Sequence, residues 1–147
     1  MDFNLNIPVK VVSGKNAVKN NAHLLSSLGK RCISVTGGKS VVLSGALSDV
    51  KEALTENNIE FTVYDKIGPN PRLDHCHEAG RLAREFGADF IFGIGGGSPL
   101  DAAKAVAVYA TNPEFSLTDI YSVTNRKKLF LLLLLAQLQA RAVRLAE

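Results

Sequence analysis

The chain predicts an α/β protein: a doubly wound, mainly parallel sheet with a C-terminal helix. Three observations carry that expectation. Short apolar runs alternate with amphipathic helical stretches, the connections are a few residues long, and glycine clusters follow two of the apolar runs. Parallel strands require crossovers and are buried on both faces, so they read as continuous apolar runs. Connections of this type are right-handed, and ligands bind outside the carboxyl ends of such strands.

Val9–Ser13 (VKVVS) reads as the first strand. Asn16–Leu28 follows as a helix, with Ala17, Leu24, Leu25 and Leu28 at helical spacing, and Gly29 stops it. Arg31–Thr36 (RCISVT) is the next strand, and the glycine turn Gly37–Gly38 leads to a helix over about Leu47–Asn57. A strand at Glu60–Asp65, the loop Ile67–Pro71 (IGPNP) and a helix over Leu73–Phe86 come next. Phe90–Ile94 is a further apolar strand; it runs into Gly95–Gly96–Gly97, after which a helix begins at Ser98 and ends near Ala110. Lys128–Leu135 suits one more buried strand, and from Ala136 the helix formers Ala, Gln, Leu and Arg predict a terminal helix.

The 147 residues fit one domain, and 46% hydrophobic against 21% charged residues excludes a disordered chain. The start, MDFNLNIPVK, has neither the basic opening nor the apolar run of a secretory signal. The longest apolar run, Leu129–Ala136, is far shorter than the roughly 20 residues of a membrane span. These features predict a soluble, cytoplasmic domain. Cys32 and Cys76 are too few for a disulfide framework or a thiolate metal site and read as packing residues. The net charge of +3 is unevenly spread. Up to Thr124 there are 12 basic and 13 acidic residues, and from Asn125 onward 5 basic and 1 acidic. The body is therefore near neutral, which argues against a nucleic-acid-binding face.

The segment Phe90–Ala105 (FIFGIGGGSPLDAAKA) carries the chemistry. Ser98 is expected to cap the helix, Pro99 to sit in its first turn, and Asp101 to complete an S-x-x-D capping pattern. Glycines allow close approach of backbone to ligand, and the helix start offers free N–H groups and partial positive charge to a phosphate. Together they predict a pyrophosphate site in a Rossmann-like fold, although Ser98 stands where the G-x-G-x-x-G fingerprint ends in glycine. Gly38–Lys39–Ser40 looks like the end of a phosphate-binding ATPase loop. Ile33 occupies the place of that motif's first glycine, which excludes the ATPase reading.

The string GGGSPLDAAKA (Gly95–Ala105) resembles the cofactor signature of the iron-containing, or group III, alcohol dehydrogenases. SVTGGKS (Ser34–Ser40), SGALSDVKEAL (Ser44–Leu54) and GPNP (Gly68–Pro71) extend the resemblance over roughly residues 7–128. Dehydroquinate synthases and glycerol dehydrogenases share the layout, with wording less similar to this chain. The resemblance implies NAD(P)-dependent alcohol/aldehyde oxidoreduction, with residues 1–128 as the dinucleotide-binding domain. It implies that Gly95, Gly96, Gly97 and Ser98 hold the pyrophosphate, that Asp101 lies toward the nicotinamide, and that Asn70 and Lys104 match cofactor positions. Lys104 read alone is equally a solvated helix lysine. Many members carry Asp where Gly37 stands, and that Asp accepts from the ribose 2′-OH of NAD. Its absence, with Lys39 and Ser40 nearby, favours NADP over NAD; a turn that needs glycine for backbone reasons is the other reading of Gly37.

The family continues into a helical second domain that binds a divalent metal through an aspartate and three histidines. Residues 129–147 instead form a divergent Leu-rich tail, an abrupt change such as a reading-frame shift in a GC-rich gene would produce. That domain is expected to be absent, so no metal ligands and no catalytic residues are expected here. His75 and His77, two apart on a helix, point about 200° apart and share a metal poorly, and His23 stands alone. Leu131, Leu135, Leu138, Ala142 and Leu145 form a heptad stripe. It predicts a homo-oligomer through the tail and the former inter-domain face, with a helix folded back on its own domain as the alternative. Two other functions stay open. One is an active oxidoreductase with a pocket rebuilt by oligomerisation; the other is an interaction protein whose basic tail (Arg126, Lys127, Lys128, Arg141, Arg144) meets an acidic surface.

Overall fold

The computed structural model describes residues 12–121 and the backbone of the strand Leu131–Ala136. Four strands, β1 (Arg31–Thr36), β2 (Glu60–Tyr64), β3 (Phe90–Gly95) and β4 (Leu131–Ala136), form one parallel sheet in the order β2-β1-β3-β4. The order decides where a ligand can sit. From β1 the chain crosses to β2 on one side, then returns past β1 to β3 on the other. Winding reverses between β1 and β3, and their carboxyl ends are the place where sheets of this kind take ligands.

Side chains alternate along these strands and fill two cores. Ile33, Val35 and Ile91 face α4 (Leu73–Phe86) and α5 (Gly97–Thr111), packing with Cys76, Ala79, Ala83, Ala103 and Val106. Cys32, Phe90, Phe92 and Ile94 pack on the other face with Val50, Ala53 and Leu54 of α3 (Ala46–Glu56). Each large side chain so buried stabilises the fold by about 1.5–3 kcal/mol. The crossovers α3 and α4 lie on opposite faces, which makes the sheet doubly wound. Helices α4 and α5 meet closely at Gly80, where a Cβ would stand 2.7 Å from that of Tyr109.

The bounds of β1 and α4 are those expected; α3, β2, β3 and α5 differ by one residue at one end or both. The expected helix Asn16–Leu28 is instead α1 (Ala17–Asn20) followed by a 3₁₀ segment, Ala22–Ser27. Polar side chains compete for its carbonyls: Asn21 Nδ2 donates to Ala17 O at 2.9 Å, Ser26 to His23 O at 2.8 Å, and Ser27 to Leu24 O at 2.7 Å. A short helix, α2 (Ser40–Leu43), intervenes before α3. The expected first strand lies outside the described residues up to Val11, and Val12 and Ser13 belong to no strand.

β4 pairs in parallel with β3, from Phe90 opposite Leu131 to Gly95 opposite Ala136. Leu131 and Leu135 are therefore strand residues. A helical heptad stripe cannot begin on them, because an apolar run beside a buried strand is better satisfied by extending the sheet. The rest of that stripe and the expected terminal helix lie outside the described residues. Among the described residues no helix is long and apolar enough to cross a membrane.

Candidate functional site

β1 and β3 end side by side, with Thr36 in register with Ile94. The buried Thr36 hydroxyl donates to Ile94 O at 3.0 Å, binding the two strand ends together. Two glycine turns leave from this point: Gly37–Ser40 from β1 and Gly95–Ser98 from β3.

In the β3 turn, Gly95 has φ 139°, and a Cβ there would stand 2.9 Å from Pro99 Cγ, so the fold itself needs glycine. Gly96 and Gly97 differ. Gly96 is extended (φ −79°, ψ −160°), and a Cβ on either residue would meet nothing within 4 Å among the described residues. Both are exposed and front the start of α5.

The expected capping box is corrected by the structure. Gly96 is the N-cap, Ser98 lies inside the first turn, and no side chain caps the helix. The positive φ of Gly95 turns the chain early enough for the helix to start at Gly97; Ser98 in helical conformation cannot reach back to cap it. Asp101 instead accepts from Lys104 Nζ at 2.9 Å, both side chains well exposed. Pro99 does sit in the first turn, where its missing N–H costs no helical bond. The first-turn N–H groups thus keep their donors and partial positive charge without a competing side chain.

In the β1 turn, a connection from β2 crosses over Gly37. Gly37 pairs with Lys66 in an isolated antiparallel bridge, and Ile67 N–H donates to Thr36 O at 3.3 Å. A Cβ at Gly37 would lie 1.6 Å from Ile67 O. Glycine is required there by the backbone, the alternative reading of that residue. Gly38 has φ 73°, and Lys39 and Ser40 are exposed where α2 begins. Asn70 lies farther along the same connection, exposed, at φ 55° between Pro69 and Pro71.

Sequence reading missed what anchors this strap. Ile67 is buried, and Glu78 on α4 takes two donors, the Tyr64 hydroxyl at 2.6 Å and Lys66 Nζ at 2.9 Å. The Lys66 ammonium also stands 5.6 Å from the Tyr64 ring centroid. Tyr64 and then Lys66 hold the Glu78 carboxyl below its ordinary range, while burial and Glu78 push the Tyr64 hydroxyl up. Nearby, the Arg72 guanidinium holds Asp74 down at about 2. The signal available in the sequence was Gly37 itself, but a close approach from another connection is a tertiary fact.

His77 bonds Phe115 O at 3.2 Å and meets Tyr109 edge-on at 5.1 Å, His75 is half-buried and His23 exposed. Among the described residues no three His, Cys, Asp or Glu side chains come together as a metal site. Cys32 and Cys76 are free and buried, and burial pushes their thiols up to about 12 and about 11. A hollow of about 580 Å³ lined by Thr55, Ile59, Phe61 and Phe86 lies at the opposite, amino end of β2.

A parallel, doubly wound sheet with a glycine turn and an uncapped helix start at its winding reversal defines a Rossmann-like α/β domain. The profile of iron-containing alcohol dehydrogenase matches residues 8–136, past Lys128 and through β4, and the chain belongs to that family. Long-chain primary alcohol dehydrogenase AdhA of Thermoanaerobacter ethanolicus is 45% identical over 89 residues, 60% of this chain and 22% of that protein. NADH-dependent butanol dehydrogenase B of Clostridium acetobutylicum is 31% identical over 77% of this chain and 30% of its own length. NADPH-dependent butanol dehydrogenase of Clostridium saccharobutylicum is 32% identical over 78% of this chain and 29% of its own. An iron-containing alcohol dehydrogenase from Thermotoga maritima superposes with a TM-score of 0.86 at 32% identity, over 92% of this chain and 38% of that one. The chain thus spans less than a third of these curated relatives.

Proposed function

We propose that this chain is the dinucleotide-binding portion of an NAD(P)-dependent alcohol or aldehyde oxidoreductase, and that it prefers NADP(H). The observation that carries the reading is the open space before α5. Among the described residues, neither backbone conformation nor packing demands Gly96 and Gly97. A pyrophosphate seated against the uncapped N–H groups explains both glycines. The residues present therefore fit such a group.

In this reading Gly95, Gly96, Gly97 and Ser98 hold the pyrophosphate, Asp101 and Lys104 flank it along α5, and Asn70 approaches from the strap. Gly37, Gly38, Lys39 and Ser40 take the ribose end. The Ile67 carbonyl leaves no room for a carboxylate at position 37, so nothing there repels a 2′-phosphate, and Lys39 and Ser40 supply charge and a hydroxyl. Relatives of similar identity are named for NADH and for NADPH alike, so the preference rests on these residues. When bound, the nicotinamide supplies hydride chemistry; this chain's residues bind and orient the cofactor.

Val42 and Leu43, 65% and 84% exposed beside the β1 turn, support association of the chain through the face next to the site. Two unpaired buried cysteines fit a cytoplasmic setting. The test is calorimetric titration with NADPH and NADH. Tighter NADPH binding is expected; no binding of either at millimolar concentration would overturn the proposal. Light scattering at micromolar concentration that returned a monomer mass would remove the association.

A further inference from the structure

Near the carboxyl end of β2, Tyr64, Lys66 and Glu78 form a hydrogen-bonded cluster apart from the proposed cofactor contacts. Glu78 has both carboxylate oxygens engaged, one by Tyr64 and one by Lys66. Lys66 is the residue whose backbone pairs with Gly37 in the connection after β2, so its side chain starts one bridge spacing, about 5 Å, from the β1 turn. Its side chain is 59% exposed, and the ammonium is held back against α4 by Glu78 and by the face of the Tyr64 ring.

An exposed ion pair of this kind is weakly held, and a four-carbon stem swings freely. The turn beside it carries Lys39 as a further cation and no carboxylate at position 37. We propose that Lys66 is a specificity-determining residue for the 2′-phosphate, and that Glu78 is its restraint. With Glu78 ionised, much of the Lys66 charge is spent on α4; removing the carboxylate frees that charge for the turn. This inference rests on the dinucleotide reading and names the residues that set its 2′ preference.

The test is calorimetric titration of the purified chain and three variants with NADPH and NADH, each variant checked by circular dichroism. Glu78→Gln keeps the shape and is expected to raise the NADPH-to-NADH affinity ratio about three- to tenfold, an effect of one charge at close range that shrinks at high salt. Lys66→Met is expected to lower the ratio by a similar factor. Tyr64→Phe removes the other bond to Glu78 without changing charge and leaves the ratio where it was. A merely structural role for the cluster would weaken both cofactors together and leave all ratios equal, which would overturn the inference while leaving dinucleotide binding intact. Absence of binding by the unmodified chain would overturn the dinucleotide reading and this inference with it.

Discussion

The two glycine turns look alike in sequence and differ in physical cause. At the end of β1, Gly37 exists because the Ile67 carbonyl occupies the place of its Cβ. At the end of β3, Gly95 is likewise fixed by its φ and by Pro99, but Gly96 and Gly97, before a helix start, have room for a Cβ among the described residues. The lesson is that glycine runs divide into residues the fold consumes and residues left over. The surplus is the better guide to a ligand.

The division predicts opposite mutational behaviour, and the largest effect belongs to Gly37→Asp. That change introduces a carboxylate at the ribose end of the proposed site, yet its Cβ must displace the Ile67 backbone. A loss of about 3 kcal/mol or more in urea unfolding is expected. A Gly37→Asp chain of ordinary stability that turned to NADH would show that the two turns obey one rule after all. Gly97→Ala is expected to do the reverse. Alanine in the first helical turn leaves stability unchanged or raises it by up to about 1 kcal/mol. Cofactor affinity should nevertheless fall by about tenfold or more as the new methyl enters the phosphate space. Melting curves and titration on the same sample separate the two effects.

Thr36→Val tests the bond that sets the turns side by side. The shape is kept while the hydroxyl is lost, and Ile94 O forfeits a side-chain donor. About 1 kcal/mol of stability should go, with a smaller loss of cofactor affinity as the strand ends shift. An unaffected affinity would mean that each turn is positioned by its own strand alone.

The sequence made the scaffold legible where one local cause sufficed. Gly87, at φ 70°, ends α4 as an unstrained left-handed cap, and the apolar runs at Arg31–Thr36 and Phe90–Gly95 are central strands buried on both faces. It misled where causes competed. Asn21, Ser26 and Ser27 redirect bonds that a helix needs, so the N-terminal helix breaks. Gly95 sets the start of α5 ahead of Ser98, so a good capping motif goes unused. Leu131 and Leu135 fit a heptad and a strand equally, and pairing with β3 decides between them. In the candidate site, the glycine turn after β3 and the helix behind it were readable from the chain, whereas the Ile67 strap and its Glu78 anchor depend on contacts between distant segments.

The smallest effect at neutral pH concerns the thiols, which report on the first turn's scaffold from both faces of the sheet. Cys32 lies in β1 and Cys76 on α4, two residues before Glu78. Burial is the main cause that raises both thiols from 9.0, to about 12 and about 11. Because the folded state holds these protons more tightly than the unfolded chain, their contribution to stability is complete below about pH 9 and is lost as pH rises toward 11 and 12. At pH 8 the native chain and Gly97→Ala should therefore react slowly with a thiol–disulfide exchange reagent, while Gly37→Asp should label quickly as its scaffold opens. Equal labelling rates in the two variants would mean that the strap over Gly37 is not part of the cooperative core. The contrast between the turns would then be local, confined to the ends of β1 and β3.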